Sequence, residues 1–277
     1  MAVNASPSAF KNTLIISGFE VKKLFTQPRG IIALTCFSLL WALILLYPIR
    51  SATDLLLTDE FRQFILGFAQ MSGSSKLLNW VVAEMSVYWL IALYLFPMFS
   101  LIITADQFSS DKQRGTLRFL LLRTSRDSIF FGRFFAHMII QSILIFISVI
   151  ATIVLAVYRD PELLAYAVTT GTQLLFALLI NLLPYTALMA TLSLHAKSAR
   201  QASLLAVLYW VLATIFITII HYYLPAFSFI EYIKPGVQIA DMINSYGKEV
   251  FNYSVIPVLQ AGIFLVLGRT YMQRISL

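Results

Sequence analysis

Residues 106–133 read DQFSSDKQRGTLRFLLLRTSRDSIFFGR, and they are the one strongly cationic block in a chain that is otherwise mostly hydrocarbon. Six Lys/Arg side chains (Lys112, Arg114, Arg118, Arg123, Arg126, Arg133) stand against three Asp, with a very apolar segment on each side. Short loops rich in Lys/Arg resist translocation, so a basic connector between two membrane spans stays in the cytoplasm. Within it, Leu117, Phe119, Leu120, Leu121 and Leu122 form a short apolar face flanked by Arg118 and Arg123. That composition predicts a small helix on the inner membrane surface, offered to a partner.

The rest of the chain fixes the class. Of 277 residues, 59% are hydrophobic and only 12% charged, where a soluble domain is nearer a quarter charged. The mean hydropathy is +0.82. Several apolar runs near 20 residues exclude a soluble core and predict membrane-crossing helices. The expected fold is an all-α membrane protein, one transmembrane domain over 1–277 with six transmembrane helices. The stretch from Met1 to Phe10 is polar, which predicts no cleavable signal peptide. The single Cys36 falls inside an apolar run and forms no intrachain disulfide.

The spans are expected near 30–49, 85–104, 134–157, 168–194, 204–224 and 253–267. Before the first, residues 8–25 place Phe10, Leu14, Val21 and Phe25 at helical spacing, with Lys11, Glu20, Lys22 and Lys23 mostly on the other side. This predicts an amphipathic helix in the inner interface, its lysines at anionic lipid head groups. A second surface helix is expected over 61–71 in the loop after the first span. Pro97 is expected to kink the second span. With the N-terminus inside, the inside segments collect 14 of the 20 Lys/Arg and 4 of the 13 Asp/Glu. That asymmetry puts both termini in the cytoplasm. It also assigns the net charge of +7 to lipid head groups rather than nucleic acid.

Much familiar chemistry is missing from the sequence. It has no G-x-x-x-x-G-K-[ST] phosphate loop, so it does not hydrolyse ATP by that route, and no H-E-x-x-H zinc pair. His137, His195 and His221 are scattered too widely to predict a metal site. Mid-span ionisable groups, which ion-coupled transporters usually carry, are not expected here either, and this disfavours a self-powered transporter. Thr172, Gln173 and Asn181 in the fourth span are candidates to line a path. The alternative is that they hydrogen-bond across helices as packing glue.

Several local signals shape the connector. Ser110 and Gln113 have capping-box spacing, as do Thr124 and Asp127. Gly115 permits a sharp bend, and Thr116 is placed to cap a helix whose apolar face is Leu117, Leu120 and Leu121. The order Asp111, Gly115-Thr116-Leu117, Leu120-Leu121-Leu122, Thr124-Ser125-Arg126, Gly132-Arg133 resembles the signature region of type-2 ABC transporter permeases. Arg123 stands where proline is common, Asp111 where Glu is usual and Arg133 where Lys is usual. The six spans, the N-terminal interfacial helix and the long loop before the last span extend the resemblance over the whole chain.

The resemblance implies a non-catalytic transmembrane subunit of an ATP-binding cassette transporter, an exporter in the bacterial inner membrane. It implies a homodimer, or a pair with a similar chain, above two separate ATPase subunits that bind the ATP and Mg; no cofactor is expected in this chain. The contact with those subunits would be a coupling helix carried by Asp111, Arg114, Gly115, Thr116, Leu117, Arg118, Leu120, Leu121 and Arg126. A periplasmic partner is a further expectation. The alternative is a membrane scaffold or assembly factor whose basic loop docks a non-ATPase partner.

Overall fold

The computed structural model describes residues 9–51, 80–243, 245 and 247–275; the helix expected over 61–71 lies outside them. Among the described residues the chain is entirely helical, without strands. Helix α1 (Ala9–Thr26) ends where Pro28 begins α2 (Pro28–Ile44). Proline suits a first helical turn because its missing N–H has no intrahelical acceptor there. A five-residue π turn, Leu45–Ile49, follows α2 and contains Pro48. Helix α3 (Ala83–Thr104) contains Pro97 as one element. The connector supplies α4 (Ser109–Gln113) and α5 (Thr116–Leu121). Then come α6 (Arg126–Arg159), α7 (Leu164–His195), α8 (Ala199–Tyr223), the short α9 (Ile239–Ile243) and α10 (Val255–Arg274).

Among the described residues, six helical segments are long and apolar enough to cross a membrane: Gly30–Ile49, Ala83–Gln113, Arg126–Arg159, Pro161–His195, Ala199–Tyr223 and Gly247–Arg274. Each expected span has its counterpart, but the helices run past the apolar windows. α6 begins eight residues before position 134, and its 34 residues cover about 51 Å, well beyond a hydrocarbon core of about 30 Å. The cause is simple. Apolar counting stops at the first charges, whereas a helical backbone continues as long as caps and packing hold it.

α7 sits at the centre, packed against α3, α6 and α10. The main core gathers Met85, Tyr88, Trp89, Leu93 and Phe96 of α3, Ile145 of α6, and Leu174 and Leu178 of α7. Polar side chains cross between these helices. Tyr88 Oη and Ser148 Oγ lie 2.9 Å apart, Ser100 and Thr186 hydroxyls 3.2 Å apart, and Gln141 Nε2 donates to Thr186 Oγ1 at 3.0 Å. In an apolar solvent, such bonds fix helix register where hydrophobic burial alone does not. At the far end from the connector, Arg159 donates to both Glu84 carboxylate oxygens (Nε 2.5 Å, Nη2 3.1 Å) and ties the start of α3 to the end of α6. By contrast α8 is nearly unburied, with Leu204, Leu208, Leu212, Ile215 and Phe216 all exposed.

Candidate functional site

The connector folds by local capping, though the residues that cap it differ from those expected. The Asp106 carboxylate accepts from the Ser110 amide (3.1 Å), from Ser109 Oγ (3.2 Å) and from the Ser110 hydroxyl, so Asp106 opens α4 and the Ser110–Gln113 box is not the device used. Gly115 then takes a left-handed conformation, φ +72°, and precedes α5 directly. A Cβ there would meet no atom within 4 Å, so the backbone angle, not space, calls for glycine. Thr116 does not cap α5 by accepting; its hydroxyl donates to Asp111 Oδ1 at 2.8 Å. Helix α6 is capped by Ser125, which accepts from the Ser128 amide at 3.2 Å, one residue after the expected Thr124. Asp127, freed from that role, receives Arg269 at 3.1 and 2.7 Å.

Three of the six connector cations turn inward. Lys112 Nζ donates to the Leu194 carbonyl at 2.8 Å, at the end of α7. Arg126 Nη1 donates to the carbonyls of Met272 (2.9 Å), Gln273 (2.7 Å) and Ile275 (2.9 Å), at the end of α10. Helix C-termini carry partial negative charge and unpaired carbonyls, so a cation there satisfies both. Arg133, 4% exposed, is the third. Its guanidinium pairs with Asp111, donates to the Gln107 carbonyl at 2.5 Å, lies 3.8 Å from Glu20 and sits 5.2 Å from the centre of the Phe108 ring. Arg114, Arg118 and Arg123 face outward.

The apolar face of α5 divides in two. Leu117 is 1% exposed and packs with Phe108, Ile129, Phe130, Leu194 and Met272, with Leu121 partly buried against the same cluster. Phe119 and Leu122 point out at 70% and 82% exposure, with Leu120 between them at 38%. Positions 117 and 121 are one turn apart on one side, and 119 and 122 share the other. One apolar pair therefore anchors the helix and another is presented. The sequence puts Leu117, Phe119, Leu120, Leu121 and Leu122 on one presented face, and the coupling set implied by the resemblance takes Leu117, Leu120 and Leu121 from it without Phe119 and Leu122. The i, i+3 spacing of the exposed pair was the available signal, but it does not say which pair faces in.

Helix α1 lies along α6. Ser17 Oγ donates to the Gly132 carbonyl at 2.7 Å, and Ser128 Oγ donates to the Ala9 carbonyl at 3.0 Å. Gly132 allows this approach: a Cβ there would come within 2.9 Å of Ile16 and 3.1 Å of the Thr13 carbonyl. The side of α1 away from α6 exposes Phe10, Leu14, Ile15, Phe19 and Phe25.

The three candidate path residues are not brought together. Thr172 is exposed and bonds its own helix at the Val168 carbonyl (2.8 Å), Gln173 is half-buried, and Asn181 is buried and accepts from Gln238 at 2.9 Å. A cavity of about 470 Å³ lies elsewhere, between α3 and α8 beneath residues 234–239. Leu93, Tyr94, Pro97 and Met98 form one wall, Val207, Trp210 and Val211 another, and Lys234 is among its lining residues. Tyr94, Met98 and Val207, which line it, are exposed.

Comparison with known proteins returned no match among curated proteins. The model of the family described as ABC-2 family transporter protein matches residues 14–268. That match takes in the first five apolar helices, the last one as far as residue 268, most of α1 and the whole connector. Proteins of this family are transmembrane components of ABC transporters and work with an ATP-binding subunit, which agrees with a multi-pass chain built around a basic connector. The chain belongs to the ABC-2 family of transporter proteins.

Proposed function

We propose that this chain forms the substrate pathway of an ABC exporter in a bacterial inner membrane and that α5 is its coupling helix. The observation that carries this is the outward pair Phe119 and Leu122, bordered by Arg114, Arg118 and Arg123, on a helix whose other face is locked into the permease by Leu117. An exposed aromatic side chain among exposed arginines matches the residue types enriched at protein interfaces. Two copies of the chain stand over two ATP-binding subunits, which hold the ATP and Mg and perform the hydrolysis. Both termini and the connector lie on the cytoplasmic side, in keeping with the Lys/Arg asymmetry. A periplasmic partner, where one exists, meets the opposite face.

The mechanism follows from what holds the connector. Closure of the ATP-binding subunits displaces α5. Leu117 and the Asp111–Arg133 pair carry that displacement to α6, Lys112 carries it to the end of α7, and Arg126 to the end of α10. The connector is thus a rigid lever on several spans. At the outer end, the loop 225–248 and the segment 61–71 form the external gate, and the cavity between α3 and α8 is the candidate part of the pathway.

The test is co-purification from the native membrane in mild detergent with an ATPase assay. Recovery of an ATP-binding cassette subunit that is lost in the Phe119→Glu, Leu122→Glu variant, while the variant chain stays folded, supports the reading. A folded parent chain without such a subunit and without ATPase activity overturns it.

A further inference from the structure

One carboxylate on α1 is shared by two cations of different character. Glu20 Oε1 lies 3.8 Å from Arg133 Nη2, and Glu20 Oε2 lies 3.7 Å from Lys23 Nζ. The Arg133 side chain is 5% exposed and already paired to Asp111, whereas the Lys23 side chain is 45% exposed. A buried cation gives up a partner at high cost, while a surface ammonium exchanges partners readily. Lys22 and Lys23 also stand in the last turns of α1, just before Pro28 opens α2. A cation one or two turns before a membrane helix sits at head-group depth. Beside them α1 exposes Ile15, Phe19 and Phe25, an apolar strip suited to the acyl boundary.

We propose that Lys23, with Lys22 beside it, binds the phosphate of an anionic membrane lipid, and that the bound phosphate hands Glu20 over to Arg133. This rests on the reading that the connector faces the cytoplasmic leaflet. With Lys23 drawn to the phosphate, the cation left to Glu20 is Arg133. An Arg133 shared between Glu20 and Asp111 holds Asp111 less firmly. Asp111 in turn accepts from Thr116 at the start of α5, so the slack reaches the coupling helix itself. The lipid charge of the inner leaflet thereby sets how stiffly the connector is held. Each lysine near such a surface contributes roughly fivefold to lipid affinity, enough to bias a pair of weak, solvent-exposed contacts.

The test uses the full permease alone, in nanodiscs of phosphatidylcholine with or without phosphatidylglycerol. Trypsin cleavage at Arg114 and Arg118 is followed by mass spectrometry and expressed relative to cleavage at Lys197 and Arg200, exposed on another turn of the same side. That ratio removes any general attraction of the protease to an anionic surface. Phosphatidylglycerol is expected to raise connector cleavage about threefold to fivefold in the parent chain. Lys23→Ala is expected to show the raised rate in both lipids, Glu20→Gln the low rate in both, and Lys11→Ala, at the other end of α1, to respond like the parent. A parent ratio indifferent to phosphatidylglycerol overturns the proposal. So does a Lys23→Ala chain that stays at the parent's neutral-lipid rate, or inorganic phosphate reproducing the effect in neutral discs. Because no ATP-binding subunit is present, this outcome is independent of whether the chain couples to one.

Discussion

Arg126, the first residue of α6, donates from Nη1 to the Met272 carbonyl at 2.9 Å, 146 positions along the chain, and to the Gln273 and Ile275 carbonyls beside it. One guanidinium therefore fastens the exit of the connector to the end of the last membrane helix. Replacing it with Ala leaves these carbonyls without their cation. Arg126→Ala is expected to lower stability by about 1.5–3 kcal/mol, the range for hydrogen bonds to a charged group. Arg126→Lys should recover part of the loss. Thermal unfolding of the purified chain in one fixed detergent or nanodisc checks both.

On the proposed coupling role, the two faces of α5 separate folding from docking. Leu117→Ala removes a fully buried side chain and is expected to cost about 2–5 kcal/mol. Phe119→Ala and Leu122→Ala, both on the exposed face, are expected to change stability by no more than about 0.5 kcal/mol and to weaken binding of an ATP-binding subunit at least tenfold. Parallel unfolding and binding measurements on the three variants decide the assignment.

Gly115 is held at φ +72° with open space around its α-carbon. Gly115→Ala is expected to cost about 1–2 kcal/mol of backbone strain, concentrated in the connector. Connector amides should exchange hydrogen faster in this variant, while amides of α7 stay protected. Hydrogen exchange read by mass spectrometry measures the difference.

Glu84 is 2% exposed and carries both bonds from Arg159 at the end of the bundle opposite the connector. Removing one partner of a buried pair leaves a poorly solvated charge, at about 3–5 kcal/mol when burial is complete. Arg159 keeps access to solvent, so Glu84→Gln is expected to cost less, about 1–3 kcal/mol. Arg159→Ala, which strands the buried carboxylate, should be worse than Glu84→Gln. The order of the two melting temperatures checks the account.

Gly132 keeps α1 against α6. Gly132→Leu is expected to push α1 away at Ile16 and Thr13, because backbone of the opposing helix, and not just a flexible side-chain tip, occupies the space. A single cysteine introduced at Ser17, in a chain with Cys36 changed to Ser, should then label rapidly in the Gly132→Leu background and slowly in the parent.

The membrane architecture was legible from the sequence because apolar length is a local property that survives any arrangement of the helices. The charge asymmetry, likewise, needs only the order of loops. The connector was legible as a place and less so as a geometry. Its capping residues were off by one to four positions, since Asp106, Gly115 and Ser125 compete with neighbours of equal local propensity. The inward roles of Lys112 and Arg126 were hidden. Their acceptors are backbone carbonyls at the ends of α7 and α10, and no side-chain pattern marks a carbonyl. The same holds for Arg133, whose partners Glu20, Gln107 and Asp111 come from two separate segments. Leu117 and Phe119 were equally apolar in the sequence, and only packing against Phe108 and Phe130 distinguishes the anchor from the presented residue.

The central claim is that the outward face of α5 meets an ATP-binding subunit. A photo-crosslinking amino acid placed in turn at Phe119, Leu122 and Leu117, in the native membrane, tests it most directly. The account predicts crosslinks to an ATP-binding cassette subunit from positions 119 and 122, and none to that subunit from 117, which should react only within its own chain. Crosslinks from 119 and 122 to lipid alone, or to a protein without an ATP-binding cassette, would contradict it.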